Sequence, residues 1–488
     1  MKTSKKTNHP AWALQHKQKG TELRLINGTY YLYQVTSKWN PEKKRPQKIT
    51  GKLLGKITPE GFIESDKERL RKAFHAKPQG PFYVKEYGMF YLVQTLFKDY
   101  IIQLKDVFPE IWQEIVSLAF IRLLYKSPIK NVGFYFSHSF LSEQFTEVSL
   151  TEKRVRALYK KIGASREQVT SFMSSFLKEK DMILIDATNL ITHSKKMEIA
   201  HLGYNTKQEY EPQVNIMFLF SMQLQLPVFY RVLPGNIREV SAFKLTLEEA
   251  CAEQTIIIAD KGFYSQDNVQ TLDSFHLQYI IPLRRNNPMI DYSILSVPGN
   301  AGFDGYFSYR DRYIWHKTLK IDNKYISLFF DQSLRTKEEH DYLSRIKSHP
   351  EEYTLEKYKE KHASFGTIAL YYNIPDRSAE DVYSYYKVRG NIETMIDAFK
   401  NTLEADTSYM QDEQAFNGWM FINFIALQWY YQIYQLLVRE KLLKRYSPAD
   451  IFDILKEIRK IKIGGNWVLA EITKSTKELL DKIKLPIT

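Results

Sequence analysis

Residues 181–190 read DMILIDATNL. Four apolar residues, Met182 to Ile185, lead straight into an acid, Asp186, as in a short buried strand with a carboxylate at its exit. The run TIIIAD (255–260) has the same form and ends on Asp260. Between them, EPQVNIMFLFS (211–221) and LPVFYRVL (226–233) read as two more strands. PGN (234–236) reads as a turn and VSAFKLTLEEACAEQ (240–254) as a helix. A helix over DNVQTLDSF and a fifth strand, LQYIIPL (277–283), follow Asp260. The order β-β-β-α-β-α-β specifies an α/β sheet with crossover helices. Sites in open α/β sheets gather at the carboxyl ends of strands, where both acids sit. A single strand-end Asp reads as a turn or cap. Two in neighbouring strands form a more specific pattern.

A third acid lies on YYKVRGNIETMIDAFK (385–400). On a helix of about 100° per residue, Tyr386, Arg389, Glu393 and Lys400 share an arc of about 60°. Val388, Ile392, Met395, Ile396 and Phe399 take the adjoining arc as a core face. An exposed i, i+4 pair accounts for Arg389 and Glu393. It does not account for Tyr386 and Lys400 on the same arc. Asp397, also near that arc, reads as a surface acid. Three clustered carboxylates repel and raise one another's pKa values, and a hard divalent cation relieves this. No CxxC or HExxH run is present, and His193 and His201 form no ligand set, so zinc is not expected.

The 488 residues allow two to four domains, and 44% apolar content marks a globular chain. The lone cysteine, Cys251, permits no intrachain disulfide and fits a reducing compartment. The basic N-terminus lacks the apolar stretch of a signal peptide. Residues 415–438, AFNGWMFINFIALQWYYQIYQLLV, carry no charge and are long enough for a bilayer. Asn417, Asn423, Gln428, Gln432 and Gln435 interrupt them, so a buried core helix is expected and no membrane partner.

The net charge is +13, yet residues 1–80 hold 18 Lys and Arg against 6 Asp and Glu. Almost all the excess is therefore in the first sixth of the chain, which suggests a nucleic-acid partner. A solubilising tail is the alternative. Residues 29–57 alternate apolar and polar around a Pro/Lys-rich tip with Lys43, Lys44, Arg45 and Lys48, as in a β-hairpin whose loop tracks phosphates. Residues 84–180 read as helices, either a DNA-binding bundle or packing helices.

The spacing Tyr386-x2-Arg389-x3-Glu393-x6-Lys400 resembles the Y-x2-R-x3-E-x6-K signature of one large group of bacterial insertion-sequence DDE transposases. Asp186 in LIDATNL and Asp260 in IIADKGFYS resemble that group's first two acids. HLGYNTKQEYEPQV (201–214) and LPGNIREVSAF (233–243) are similar to its intervening segments. The likeness runs over roughly 180–435. It implies an α/β fold with an RNase H-like mixed sheet and flanking helices, interrupted by a β-rich insertion, plus an N-terminal β-hairpin and a helical DNA-binding region. The expected division is 1–80 (basic hairpin), 81–180 (helical), 181–285 (core, first part), 286–380 (insertion), 381–438 (core, second part) and 439–488 (C-terminal helical region).

The implied activity is binding of terminal inverted repeats, metal-dependent cleavage of the ends and their joining to target DNA. Asp186 would be shared by two Mg2+ ions, with Mn2+ as a substitute, and Asp260 and Glu393 would each complete one. Arg389 and Lys400 would bind phosphates, and Tyr386 a phosphate or an extruded base. Trp315 is a candidate base-stacking residue or a β-core Trp, and Arg284 and Arg285 are channel-lining or merely exposed. A homodimer on double-stranded DNA in a bacterial cytoplasm is expected. A non-cutting DNA-binding descendant and an RNase H-fold nuclease without strand transfer are the alternatives.

Overall fold

The computed structural model describes residues 9–41, 43–67, 69–70, 83–204, 210–237, 239–250 and 254–487. Cys251 and part of the 201–214 segment lie outside these. The chain divides into two compact units, Met1–Lys85 with Ile458–Glu471, and Glu86–Glu457 with Ile472–Thr488.

In the first unit, β1 (Thr21–Ile26), β2 (Thr29–Asn40), β3 (Arg45–Thr58) and β4 (Gly61–Glu64) form an antiparallel meander. Its small core is Leu23, Leu32 and Ile57 with Ala13 of the short helix α1 (Ala11–Leu14). β1 reaches only Gln34 of β2, so the ends of β2 and β3 pair with each other alone as far as Asn40 and Arg45. Lys43, Lys44, Arg45 and Lys48 are all exposed at the tip of this ribbon. Lys48 is 2.7 Å from Glu22.

Residues 458–471 depart from the expected helical C-terminal region. RKIKI alternates Lys and Ile, and Gly464 and Gly465 both take positive φ between β17 (Arg459–Ile463) and β18 (Asn466–Leu469). Two left-handed residues in succession make the tight turn whose twist matches a hairpin. These strands form a second small sheet with β5 (Tyr83–Glu86).

The second unit is built on one large sheet. β6 (Met182–Thr192) lies antiparallel to β8 (Tyr210–Ser221), which also pairs with β9 (Leu226–Pro234) and the short β7 (His201–Tyr204). On the other side, β10 (Ile256–Ile258) and β11 (Gln278–Pro282) run parallel to β6. The order β9-β8-β6-β10-β11, antiparallel on one side of β6 and parallel on the other, is the RNase H-like arrangement. Ile183–Ile185, Ile257, Ile258 and Tyr279–Ile281 are fully buried, as expected for strands covered on both faces.

The β-rich insertion does not form a sheet of its own. β12 (Gly305–Tyr309), β13 (Arg312–Ile321), β14 (Lys324–Asp331) and β15 (Thr367–Tyr372) add to the same sheet through the β15–β11 pair. Alternation marked these segments as strands. It could not say which edge they would extend.

Helices α2 (Gly88–Leu96), α3 (Lys98–Val107), α4 (Trp112–Tyr125), α5 (Ile129–His138), α6 (Leu141–Gln144), α7 (Glu152–Ala164) and α8 (Arg166–Ser174) precede the sheet. α9 (Glu239–Ala250) and α10 (Gln266–Ser274) are its crossovers, and α11 (Gln332–Ser348) and α12 (Leu355–His362) follow β14. α13 (Ala379–Lys387) and α14 (Gly390–Asp397) carry the third acid's segment. The uncharged stretch is α15 (Glu413–Arg439), a core helix packed on α4, α7 and β9. Among the described residues no helix is long and apolar enough to cross a membrane. Two of its interrupting amides are buried and satisfied. Asn423 accepts from Arg122 at 2.6 Å, and Gln428 donates to the Pro227 carbonyl at 2.9 Å and accepts from the Tyr100 hydroxyl. α15 and α7 approach backbone to backbone, since a Cβ at Gly163 would fall on the Gln414 carbonyl and one at Gly418 on that of Tyr159. α16 (Pro448–Lys456) and α17 (Lys474–Lys482) complete the unit.

Candidate active site

β10 pairs with β6 with Ile258 opposite Leu184. Two residues further on each strand, Asp260 and Asp186 lie side by side on the same face, Asp260 just past the end of β10 but Asp186 inside β6, which runs on to Thr192 rather than ending at the acid as the sequence suggested. Asp260 precedes a single 3-10 turn, Lys261–Phe263. Opposite Asp186 on β8 is Phe218, whose ring meets Phe399 edge-on at 5.2 Å. That contact seats the segment after α14 over the face bearing the acid.

The helix expected over 386–400 is not continuous. α13 ends at Lys387, and the Arg389, Asn391 and Ile392 N–H groups donate to carbonyls three residues back. α14 then runs to Asp397 and passes into a π-helical turn, Ala398–Thr402. Tight winding at one end and loose winding at the other shift the angles that an ideal helix assigns. Lys400, within the π turn, donates to Asn189 Oδ1 on β6 at 3.2 Å. Asn189 also donates to Gln213 at 3.0 Å. No signal in the sequence singled out Asn189. Asp397 is exposed and accepts from Asn401.

Arg389 is the centre of the site. Its Nη2 is 3.0 Å from Asp186 Oδ2, and its Nη1 is 2.5 Å from Glu393 Oε1 and 3.8 Å from Asp260 Oδ1. The guanidinium side chain is 15% exposed and the acids 18% (Asp186), 32% (Asp260) and 58% (Glu393), so the site is deep at Asp186 and open at Glu393. Burial pushes the Asp186 carboxyl up to about 6; Arg389 opposes this, and Asp260 and Glu393 add to it. Burial alone would lower the Arg389 pKa, and the three acids reverse it. Tyr386, raised by burial, feels Arg389, Asp260 and Glu393. It therefore keeps its proton at neutral pH.

Among the described residues no group of three or more His, Cys, Asp or Glu is arranged to hold a metal ion. At this site the three carboxylates converge on the Arg389 guanidinium. The donor set nonetheless fits a hard divalent cation. It is all oxygen, and three carboxylates against one guanidinium leave two negative charges. Among the described residues the buried Arg389 Nε has no acceptor.

The remaining sequence candidates lie elsewhere. Arg285 is committed to the fold, 2.8 Å from Glu338 and bonded to the Thr367 carbonyl at 3.1 Å. Arg284 is exposed. Trp315 on β13 is half-buried, with its ring 5.1 Å from Tyr306 and 6.1 Å from Phe303.

A family model described as a transposase DDE domain matches residues 177–429. No curated protein matches the chain. Among solved structures, it is similar to a piggyBac transposase in a cryo-EM synaptic complex with hairpin DNA. The TM-score is 0.40 and the identity 11%, over 76% of this chain and 79% of that one. It is also similar to the Mos1 transposase in a paired-end complex with the left transposon end. There the TM-score is 0.15 and the identity 12%, over 34% of this chain and 57% of that one. Likenesses this distant add nothing to the geometry of the site.

Proposed function

Since the chain belongs to the DDE transposase family, we propose that it binds the terminal inverted repeats of an insertion sequence, cuts them and joins them to new DNA. The observation that carries this is the convergence of Asp186, Asp260 and Glu393, from two strands and a distant helix, on one guanidinium. Asp186, Asp260 and Glu393 would hold the divalent cations, Mg2+ or Mn2+, two per site. Bound there, such ions supply Lewis-acid activation of the attacking oxygen and charge stabilisation at the leaving 3′-oxygen.

The protein's own groups do the rest. Arg389 holds the acids together against their repulsion and keeps a positive charge beside the scissile phosphate. Tyr386, kept protonated by burial, donates its O–H to a phosphate or stacks on a displaced base. Lys400 adds a positive charge at Asn189, three residues along β6 from Asp186. Arg285 and Trp315 already have partners in the fold. The contacts proposed for the DNA are therefore Tyr386, Arg389, Lys400, Arg284 and the ribbon carrying Lys43, Lys44 and Arg45. A homodimer would pair two ends.

The test is incubation of the full chain with a duplex bearing the inverted repeats that flank its gene, with and without Mg2+. Nicked ends with a 3′-OH, followed by joined products, are expected only with the metal. Binding without cutting would replace this reading with a non-cutting DNA-binding protein. Cutting without joining would replace it with a nuclease.

A further inference from the structure

A cavity of about 540 Å3 lies between the C-terminus of α4, the N-terminus of α5, one side of α7 and the segment that joins the π turn to α15. None of Asp186, Asp260 and Glu393 lines it. Its walls carry five cationic side chains and three acids. Two of those cations are closely paired, Arg156 with Glu152 at 2.7 Å and Lys160 with Asp412 at 2.9 Å. The others are not neutralised in that way. Among the described residues Arg122 hydrogen-bonds to neutral oxygens, Asn423 Oδ1 at 2.6 Å and the Leu403 and Glu404 carbonyls at 2.6 and 3.1 Å, and lies 5.6 Å over the Trp419 ring. Lys126 is 3.5 Å from a Glu404 carboxylate that is 64% exposed, a pair that solvent and salt readily exchange. Lys130 is exposed and makes no ion pair among the described residues.

Two further features face an anion. Ser127 lines the cavity, and its hydroxyl is buried without a hydrogen-bond partner among the described residues. It lies two residues before Ile129, the first residue of α5, a ten-residue helix whose N-cap, Pro128, gives no side-chain cap. Uncapped N–H groups at a helix start, with the positive end of the helix dipole, are a ready site for phosphate. Tyr409 also lines the cavity and is 74% exposed, and its ring stacks on His193 at 4.7 Å and 25°. A ring held flat by one stacking partner can offer its other face to a base.

The cavity is tied to the active-site strand. β16 (Thr407–Ser408) pairs with the end of β6, Thr192 opposite Ser408, and the His193 N–H donates to the Ser408 carbonyl at 2.9 Å. Thr192 is six residues beyond Asp186 on one strand, about 20 Å at ~3.3 Å per residue. That is about six base-pair steps of duplex at ~3.4 Å each.

We infer that this cavity is a second DNA-contact site. It takes one nucleotide of the strand flanking the scissile bond, about six positions away, with its phosphate at Ser127, Lys126, Lys130 and the start of α5, and its base on Tyr409. The inference rests on the transposase reading and adds a binding site outside the catalytic cluster. The test measures anisotropy of the labelled end duplex with the full chain, in EDTA, between about 50 and 200 mM salt. Lys126→Gln and Lys130→Gln should each reduce the slope of log affinity against log salt by about 1. Tyr409→Ala should weaken binding by about 5-fold or more with the slope unchanged. Lys337→Gln, exposed on α11, should change neither. A photoreactive base about six positions from the cut should crosslink to wild type and not to Tyr409→Ala. Thermal melts check that each variant folds. Lys130→Gln, at an exposed position, carries the slope test even if Lys126→Gln unfolds. Wild-type affinity and slope in these variants, while the wild type binds and cuts the same end, overturns the inference alone. A wild type that neither binds nor cuts the end overturns the transposase reading and this site with it.

Discussion

Asp186→Asn should stabilise the metal-free protein while disabling it. The Asp186 carboxyl is raised from 3.8 to about 6, chiefly by burial. At ~1.4 kcal/mol per pKa unit, keeping it ionised costs about 3 kcal/mol at neutral pH. The folded chain binds this proton more tightly than the unfolded chain. Stability therefore falls as pH rises from about 4 to about 6, and the deficit persists above that window. Asn mimics the neutral carboxyl, removes the deficit and flattens the pH dependence. The assay is denaturant unfolding in EDTA at pH 8 and across the acid range. The variant should be more stable at pH 8 by up to about 3 kcal/mol, with the gap closing towards pH 4. Excess Mg2+ should raise the wild-type midpoint and leave the variant's unmoved. A variant less stable than wild type at pH 8, or one with the wild-type pH profile, would refute the claim that Asp186 is held as a strained anion.

Other substitutions test the scaffold and the basic ribbon. Gly418→Ala drives a Cβ into the Tyr159 carbonyl, a backbone group with nowhere to move, and should cost at least ~1–3 kcal/mol in thermal unfolding. Gly390→Ala, with nothing near the added Cβ, should be neutral or stabilising by up to ~1 kcal/mol in the same melt. Gln428→Leu strands the Tyr100 hydroxyl and the Pro227 carbonyl in the core, for a loss of ~2–4 kcal/mol by denaturant titration. Replacing Lys43, Lys44 and Arg45 together by Gln should lower the salt slope of DNA binding by about 3. Lys48→Gln should lower it by less than 1, because its ammonium is held by Glu22.

The parts of the architecture that were legible in the sequence are those where local pattern and burial agree. Asp186 and Asp260 stood out because each ends an apolar run, which for Asp260 marks the exit of a buried strand, whereas β6 continues past Asp186 to Thr192. Residues 415–438 could be read as a core helix because their amides need partners that lipid lacks, and Asn423 and Gln428 have such partners. The hairpin at 459–469 has a local signal, the Gly464–Gly465 pair and the Lys/Ile alternation, that runs against the helical reading of the C-terminal region. Other features depend on long-range packing. Helical projection placed Arg389 on an arc with Glu393. Only the β6–β10 register could place it against Asp186 and Asp260 as well. The π turn that carries Lys400 to Asn189, and the cavity at the end of β6, have no local signature.

The most direct test of the three-acid centre is the rate of Mg2+-dependent end cleavage by Asp186→Asn, Asp260→Asn and Glu393→Gln, measured beside their DNA affinity. Each variant should bind the end about as tightly as wild type and cut it on the order of 100-fold more slowly or worse. Wild-type cleavage by any one of the three would remove that residue from the centre and contradict the convergence on Arg389 as the signature of the catalytic site.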